Sequence, residues 1–207
     1  KGREATIFFH QMRPIILCGC SGVGKGTIIK SLMSKYPDKF GFSVSHTTRA
    51  PRDGEINGVH YHFTTKDQML RDIEAGQFIE HAHVHSNLYG TSFQAVKDVL
   101  SSNRVCILDI DIQGAQQVKA SKILNPVIVF IKAPSFEELE KRLRGRATET
   151  EDSIMVRLNN ARQETAFAER NENNFFDDFV VNDQLDSAVK QLTIIMNKHV
   201  EGLNIEV

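Results

Sequence analysis

The stretch Gly19-Cys20-Ser21-Gly22-Val23-Gly24-Lys25-Gly26-Thr27 lies between the apolar run Ile15-Ile16-Leu17-Cys18 and a segment of helical patterning from about Lys25 to Lys35 that stops near Pro37. A glycine-rich turn between a strand and a helix gathers backbone N–H groups and the helix N-terminus around one point, and a lysine there adds a mobile positive charge. That is how phosphates are cradled. Gly19, Ser21, Gly22, Val23, Gly24, Lys25, Gly26 and Thr27 are therefore the candidate phosphate residues. A plain glycine turn with a chance lysine would need neither the strand before it nor the helix after it. The hydroxyl residue that ordinarily follows such a lysine is missing: position 26 is glycine and Thr27 comes one place later. A metal ion beside the phosphates would then have to rely on the phosphates themselves, on water and on Thr27.

Outward from this turn the same rhythm repeats. Val105-Cys-Ile-Leu-Asp109, Val127 to Ile131 and Phe179-Val-Val-Asn182 are short apolar runs, each followed by helical patterning, with Leu185 to about His199 as the last helix. Ser135 and Glu138 form a capping-box pair that opens a helix running to Arg144. Buried strands alternating with helices predict an α/β fold of three layers, with helices on both faces of a parallel sheet. Residues 45–103 break the rhythm with Thr, Gly, His and short alternations such as Val59-His-Tyr-His-Phe63, and predict an inserted antiparallel lobe. Residues 139–170 are dense in charge and predict a polar appendage with a long helix through Arg157 and Arg162. Asp109 and Asp111 end the second apolar run. Alternation places both on one face of the strand, where they would approach a phosphate-bound metal; a strand-end aspartate that merely caps a turn is the plainer alternative.

Composition sets the outer limits. With 207 residues the length favours one moderately large domain. Hydrophobic residues at 41% and charged residues at 25% exclude a disordered or collagen-like chain. Twenty-five Lys and Arg against 26 Asp and Glu remove overall positive charge as a basis for binding nucleic acid or a membrane surface. Three cysteines in apolar surroundings predict a reduced, intracellular protein, and a cytoplasmic setting is the expectation where no targeting signal is read. No apolar run reaches the roughly 18 residues of a membrane span. Residues 1–12 are expected to be an N-terminal extension or an expression remnant. In Glu80-His81-Ala82-His83-Val84-His85 the histidines alternate on the face opposite Glu80; no further ligand spacing completes a metal set, so a solvated strand face is the expectation.

Beyond the phosphate turn, a series of blocks resembles the guanylate kinases of the P-loop nucleoside monophosphate kinase family, from about Arg13 to the end of the last helix. The blocks are Phe40-Gly-Phe-Ser-Val-Ser-His-Thr-Thr-Arg-Ala-Pro-Arg52, Gly58-Val-His-Tyr61, Phe78-Ile-Glu80, Tyr89-Gly-Thr91, Ile107-Leu-Asp-Ile-Asp-Ile-Gln-Gly114 and Arg146-Ala-Thr-Glu-Thr150. Departures are Cys20 for the usual Pro, Gly26 for Ser, His46 for Ser and Ala147 for Gly. The resemblance implies a core of residues 13–44, 104–138 and 171–207, a GMP-binding lobe at 45–103 and a lid at 139–170. It implies transfer of the γ-phosphoryl of ATP to GMP or dGMP with Mg²⁺. Charge balance and hydropathy predict no nucleic-acid or membrane partner, and the oligomeric state stays open at this point, with a monomer as the expectation.

Residue by residue, the resemblance places Arg49, Arg52, Tyr61 and Tyr89 on the GMP phosphate, where two guanidiniums and two phenols suit a dianion. It places Glu80 on the guanine edge, with Asp111 assisting and Ser45 and Thr91 at O6. Arg142, Arg146 and Arg157 fall on the ATP phosphates, and Asn182 at adenine. Lys25, Arg49, Arg142 and Arg157 carry the catalytic charge, and Thr27 with Asp109 would meet Mg²⁺ through water. Two rivals remain at this stage: a non-catalytic guanylate-kinase-like module that binds phosphopeptides, and a kinase of the same fold with another acceptor. Read as bare residues, Arg49 and Arg52 are loop charges, Glu80 an exposed strand residue, and the lid cations a solvated helix face.

Overall fold

The computed structural model describes residues 12–84, 86–145, 150–171 and 174–206. The chain folds as two compact units, one built around Asp38–Pro126 and the other from Ile15–Pro37 with Val127–Val207. The fold is α/β with a parallel central sheet, as the strand–helix rhythm predicts.

The second unit contains β1 (Ile15–Cys18), α1 (Lys25–Lys35), β8 (Val127–Lys132), α5 (Phe136–Arg144), α6 (Glu151–Arg170), β9 (Asp178–Val181) and α7 (Leu185–His199). β1, β8 and β9 run parallel, with Ile15 opposite Val127 and Val129 opposite Asp178. Every residue of β1 is buried, and β8 is buried up to its last residue. This follows from runs of branched apolar side chains, which suit a strand covered on both faces. A cluster of Phe130, Phe167, Phe175, Phe176 and Phe179 meets edge-on or tilted around Phe176, with Phe130 and Phe176 5.2 Å apart. α6 is polar for most of its length but buries Ile154, Leu158, Ala161 and Ala168, a narrow stripe at helical spacing.

The first unit contains β2 (Phe40–Phe42), β3 (His46–Thr47), β4 (His62–Phe63), α2 (Lys66–Glu74), β5 (Phe78–Val84), β6 (Asn87–Ser92), α3 (Phe93–Ser101), β7 (Val105–Asp109) and α4 (Ile112–Ser121). β2 and β7 pair in parallel. The predicted antiparallel lobe is a mixed four-stranded sheet in the order β4-β3-β6-β5. β5–β6 and β3–β6 are antiparallel, but β3 and β4 are parallel, which corrects the sequence expectation. The alternating Val59–Phe63 stretch contributes only His62–Phe63 as strand, because the chain turns at Gly58 (φ 77°) and its preceding residues are occupied by a local turn.

The helix starts follow capping chemistry. Thr65, Ser92, Asp111, Ser135 and Thr150 each accept the N–H of the residue three places on, at the starts of α2 to α6. Ser135 caps Glu138 as predicted, while the Glu138 carboxylate turns to Arg142 at 3.0 Å. Helix α1 has no such cap.

Candidate active site

In the second unit the turn from β1 to α1 is shaped by three glycines with positive φ: Gly19 at 146°, Gly22 at 91° and Gly24 at 97°. A Cβ at Gly19 would stand 2.5 Å from the carbonyl oxygen of Ile131, one at Gly22 2.7 Å from Leu143, and one at Gly24 2.5 Å from the Asn182 amide nitrogen. The positive φ strains any side chain at all three positions, and at Gly19 a backbone carbonyl leaves no room for one; at Gly22 and Gly24 the nearest atoms are side-chain ends. Gly24 is the N-cap residue of α1, no side chain caps the helix, and its first turn holds no acid. The positive helix end thus keeps its N–H groups for an anion.

Side chains converge on this turn from distant positions. Lys25 Nζ donates to the carbonyl of Gly19 at 2.6 Å, folding back along the loop. Arg157, from α6, donates to Ser21 Oγ at 2.6 Å. Arg142, from α5, donates to the carbonyls of Asn182 (2.9 Å) and Val23 (3.4 Å) and to Glu138. Asn182 is buried and its amide donates to the carbonyl of Val23 at 2.7 Å, so it braces the glycine turn directly. Cys20 is also buried, with Sγ 3.6 Å from the carbonyl oxygen of Ala161; burial first, and then the Glu164 carboxylate, push its thiol up to about 12. Gly26 and Thr27 are exposed, and a Cβ at Gly26 would meet nothing within 4 Å. No steric need keeps glycine there. Arg146 lies outside the described residues.

The first unit gathers the other set. Glu80 is 4% exposed at the start of β5. Burial pushes its carboxyl up to about 7, with the Asp111 charge adding to the rise and hydrogen bonds from Thr91 opposing it. It has no ion pair among the described residues. Ser45 and Thr91 are buried and their hydroxyls lie 3.2 Å apart. The reading of Glu80 as an exposed strand residue is thereby overturned.

Asp111 is not on the strand with Asp109, as alternation predicted. β7 ends at Asp109, and Asp111 is the N-cap of α4, its carboxylate accepting the Gly114 N–H at 2.8 Å. The capping alternative is the one realised, though the charge still reaches Glu80. Asp109 acts electrostatically on Tyr61, whose phenol is raised to about 12 by burial first and by that carboxylate second. Tyr61 therefore stays a neutral donor.

Arg49, Tyr61 and Tyr89 come together. The Arg49 guanidinium lies 5.4 Å from the Tyr61 ring centre, and the two tyrosine rings are 6.0 Å apart, edge to face. Arg49 also pairs with Glu55 at 2.9 Å, and this carboxylate accepts the Arg52 N–H at 2.7 Å. Hydrogen bonding from Arg49 holds Glu55 below the ordinary carboxylate range. The Arg52 side chain is exposed. Glu55 was not singled out from the sequence; nothing in its spacing marks it, since the pairing depends on how the loop folds. Gly114 and Gln117 were likewise missed as site residues and touch Glu80 and its neighbour. His81 is half-buried, His83 is exposed and His85 lies outside the described residues; no group of three metal-ligating side chains occurs among the described residues. No helix of the described residues is long and apolar enough to cross a membrane.

The family model described as guanylate kinase matches residues 11–199. Guanylate kinase 1 of Oryza sativa subsp. japonica is 54% identical over 185 residues, covering 89% of this chain and 48% of that protein. The guanylate kinase of Homo sapiens is 46% identical over 189 residues, covering 91% of this chain and 94% of that one. The chain spans about half the length of the plant relatives it matches. Among solved structures, guanylate kinase from Anaplasma phagocytophilum superposes with a TM-score of 0.71 at 28% identity, covering 91% of this chain and 86% of that one.

Proposed function

The chain belongs to the guanylate kinase family, and we propose that it transfers the γ-phosphoryl group of ATP to GMP or dGMP, giving ADP and GDP or dGDP. The observation that carries this reading is Glu80: a carboxyl buried to 4% exposure, without an ion pair among the described residues and hydrogen-bonded by Thr91, whose hydroxyl lies 3.2 Å from that of Ser45. Burying such a group is costly unless something pairs with it. Guanine supplies adjacent N1–H and N2–H donors for the carboxylate and an O6 acceptor for the hydroxyls; adenine has no such pair of donors.

In this reading residues 45–103 are the acceptor lobe. Arg49, Tyr61, Tyr89 and Arg52 take the GMP phosphate, which must replace Glu55 as the partner of Arg49. The glycine turn with Lys25 holds the ATP phosphates, and Arg157 and Arg142, from the lid at 139–170, steady the migrating group with Arg146. A GMP phosphate oxygen attacks the γ-phosphorus while the bond to the β–γ bridging oxygen breaks, and positioned positive charge stabilises the loose transition state without a covalent enzyme intermediate. The open position at Gly26 and the exposed Thr27 hydroxyl fit a magnesium ion held mainly by phosphates and water, with Thr27 and Asp109 as its residues; the ion would neutralise phosphate charge. Asn182 braces the ATP loop and is assigned to the adenine side. The three cysteines are buried and none forms a disulfide among the described residues, which supports a reduced, cytoplasmic protein, and we take it to act as a monomer.

A coupled assay tests the reading. GMP and dGMP should drive ADP formation from MgATP, and AMP should do so far less. Lys25→Met should abolish turnover while leaving GMP affinity within a few fold. Binding of a phosphopeptide without any GMP turnover would replace the reading with a scaffold module, and equal turnover of AMP would replace the acceptor.

A further inference from the structure

Helix α4 lies against strand β5, and residues spaced by three along it meet the strand at Glu80 and His81. Asp111 caps the helix and bears electrostatically on Glu80. At Gly114 a Cβ would stand 2.5 Å from Glu80 Oε2, 3.1 Å from Cδ and 3.4 Å from Cγ. One turn on, Gln117 donates from Nε2 to the His81 carbonyl at 2.6 Å and accepts the His81 N–H on Oε1 at 3.0 Å. These positions share one helix face.

Each contact has a separate reason. Gly114 sits within a helix without a positive φ, so its backbone does not call for glycine, and glycine in a helix interior is disfavoured against alanine. The space it leaves is filled by the Glu80 carboxylate. β5 is the last strand of its sheet, paired with β6 on one side only. Its other edge would leave backbone groups without partners, and Gln117 satisfies both groups of His81 as a neighbouring strand would. The register of β5 against β6 shifts between Phe78 and Glu80, so strand pairing alone leaves this segment irregular.

We propose that Gly114 and Gln117 are positioning residues for base selection: Gly114 provides the volume in which the Glu80 carboxylate points at the base, and Gln117 fixes the strand that carries it. The proposal rests on the reading of Glu80 given above. A methyl group at position 114 meets the far end of a flexible side chain, so the carboxylate yields and the fold does not. Selection and stability are therefore expected to move in opposite directions, which a structural role would not produce.

The test measures kcat, KM and thermal stability for Gly114→Ala in the wild-type and Glu80→Ala backgrounds, with GMP and with IMP, which lacks the 2-amino group. In the wild-type background KM for GMP should rise about tenfold or more, the scale of one lost hydrogen bond to a charged group. The preference for GMP over IMP should shrink, kcat should change little, and the Tm should stay level or rise. In the Glu80→Ala background the added methyl has no carboxylate to meet, and its effect on KM should vanish, the non-additivity of groups acting through one another. Gln117→Ala should raise KM for GMP, and Gln117→Glu, which still accepts from His81 N–H, should lie between. Equal fold-changes in both backgrounds, or an unchanged KM in Gly114→Ala and Gln117→Ala, would overturn the proposal while wild-type GMP turnover left the reading intact. Absence of wild-type turnover with GMP would overturn the reading itself.

Discussion

In the proposed reading the Glu80 carboxyl must be ionised to accept from guanine, while burial favours its protonated form, so stability and binding should both depend on pH. Burial raises its carboxyl from 4.5 to about 7. Between those values the folded protein holds a proton that the unfolded chain has released, so the stabilising contribution is complete below about pH 4.5 and is lost as pH rises through 7. Glu80→Gln has no such titration. Relative to the variant, the unliganded wild type should lose up to about 3 kcal/mol between pH 5 and pH 8, read by urea unfolding at the two pH values. Parallel stability curves would show that the carboxyl titrates normally. For GMP the sign reverses, because the base needs the carboxylate. The ratio of wild-type to Glu80→Gln affinity should fall as pH drops below 7, and taking the ratio cancels the titration of the GMP phosphate. At this scale type and neighbours mark Lys25, which follows its glycines, as a candidate, whereas Arg49 is a bare loop charge that only the resemblance singles out. The sequence was silent on Glu55 and Gln117, since a loop carboxylate beside Arg49 and an amide 36 residues from its strand acquire meaning only from tertiary contact.

Helix α1 shows how an element acquires its use at one end. Five of the seven described helices begin on a side-chain cap, whereas α1 begins on Gly24 with its N–H groups free of any side-chain cap. Gly26, in its first turn, faces open space. Gly26→Ser should therefore fit without strain, add a few tenths of a kcal/mol of helix propensity, and lower the Mg²⁺ concentration needed for half-maximal turnover. Thr27→Ala should raise that requirement. A Mg²⁺ titration unchanged in both variants would mean that phosphates and water alone set metal occupancy. The bounds Lys25–Lys35 and Leu185–His199 were legible because long periodic segments end at clear stops. β3 and β4 were not: two residues carry no periodicity, and their parallel pairing comes from β3 lying between β4 and β6. Alternation runs on past Asp109 and predicts strand through Asp111, but the Asp111 carboxylate accepts the Gly114 N–H and starts a helix instead.

Across the whole molecule, the residues assigned to GMP lie in one compact unit and those assigned to the ATP phosphates in the other. The α/β class was legible from strand–helix alternation; the division into these units was not, because each joins segments far apart in sequence. The separation yields a prediction that does not depend on turnover. A ligand that binds only the folded state at about 100 times its dissociation constant adds about 2.7 kcal/mol, which slows exchange about 100-fold for amides whose opening releases it. GMP should therefore protect amides of β5, β6 and the start of α4, around Glu80, Thr91 and Gly114. ATP should protect residues 19–27 and the parts of α5 and α6 that bear Arg142 and Arg157. Hydrogen exchange followed by mass spectrometry reads both patterns in the intact chain. Protection of residues 19–27 by GMP, with none over 78–92, would mean that the two nucleotides had been assigned to the wrong units. With Lys25→Met, ATP protection should weaken while the GMP pattern stays as in the wild type, because that substitution changes only the unit that holds the glycine turn.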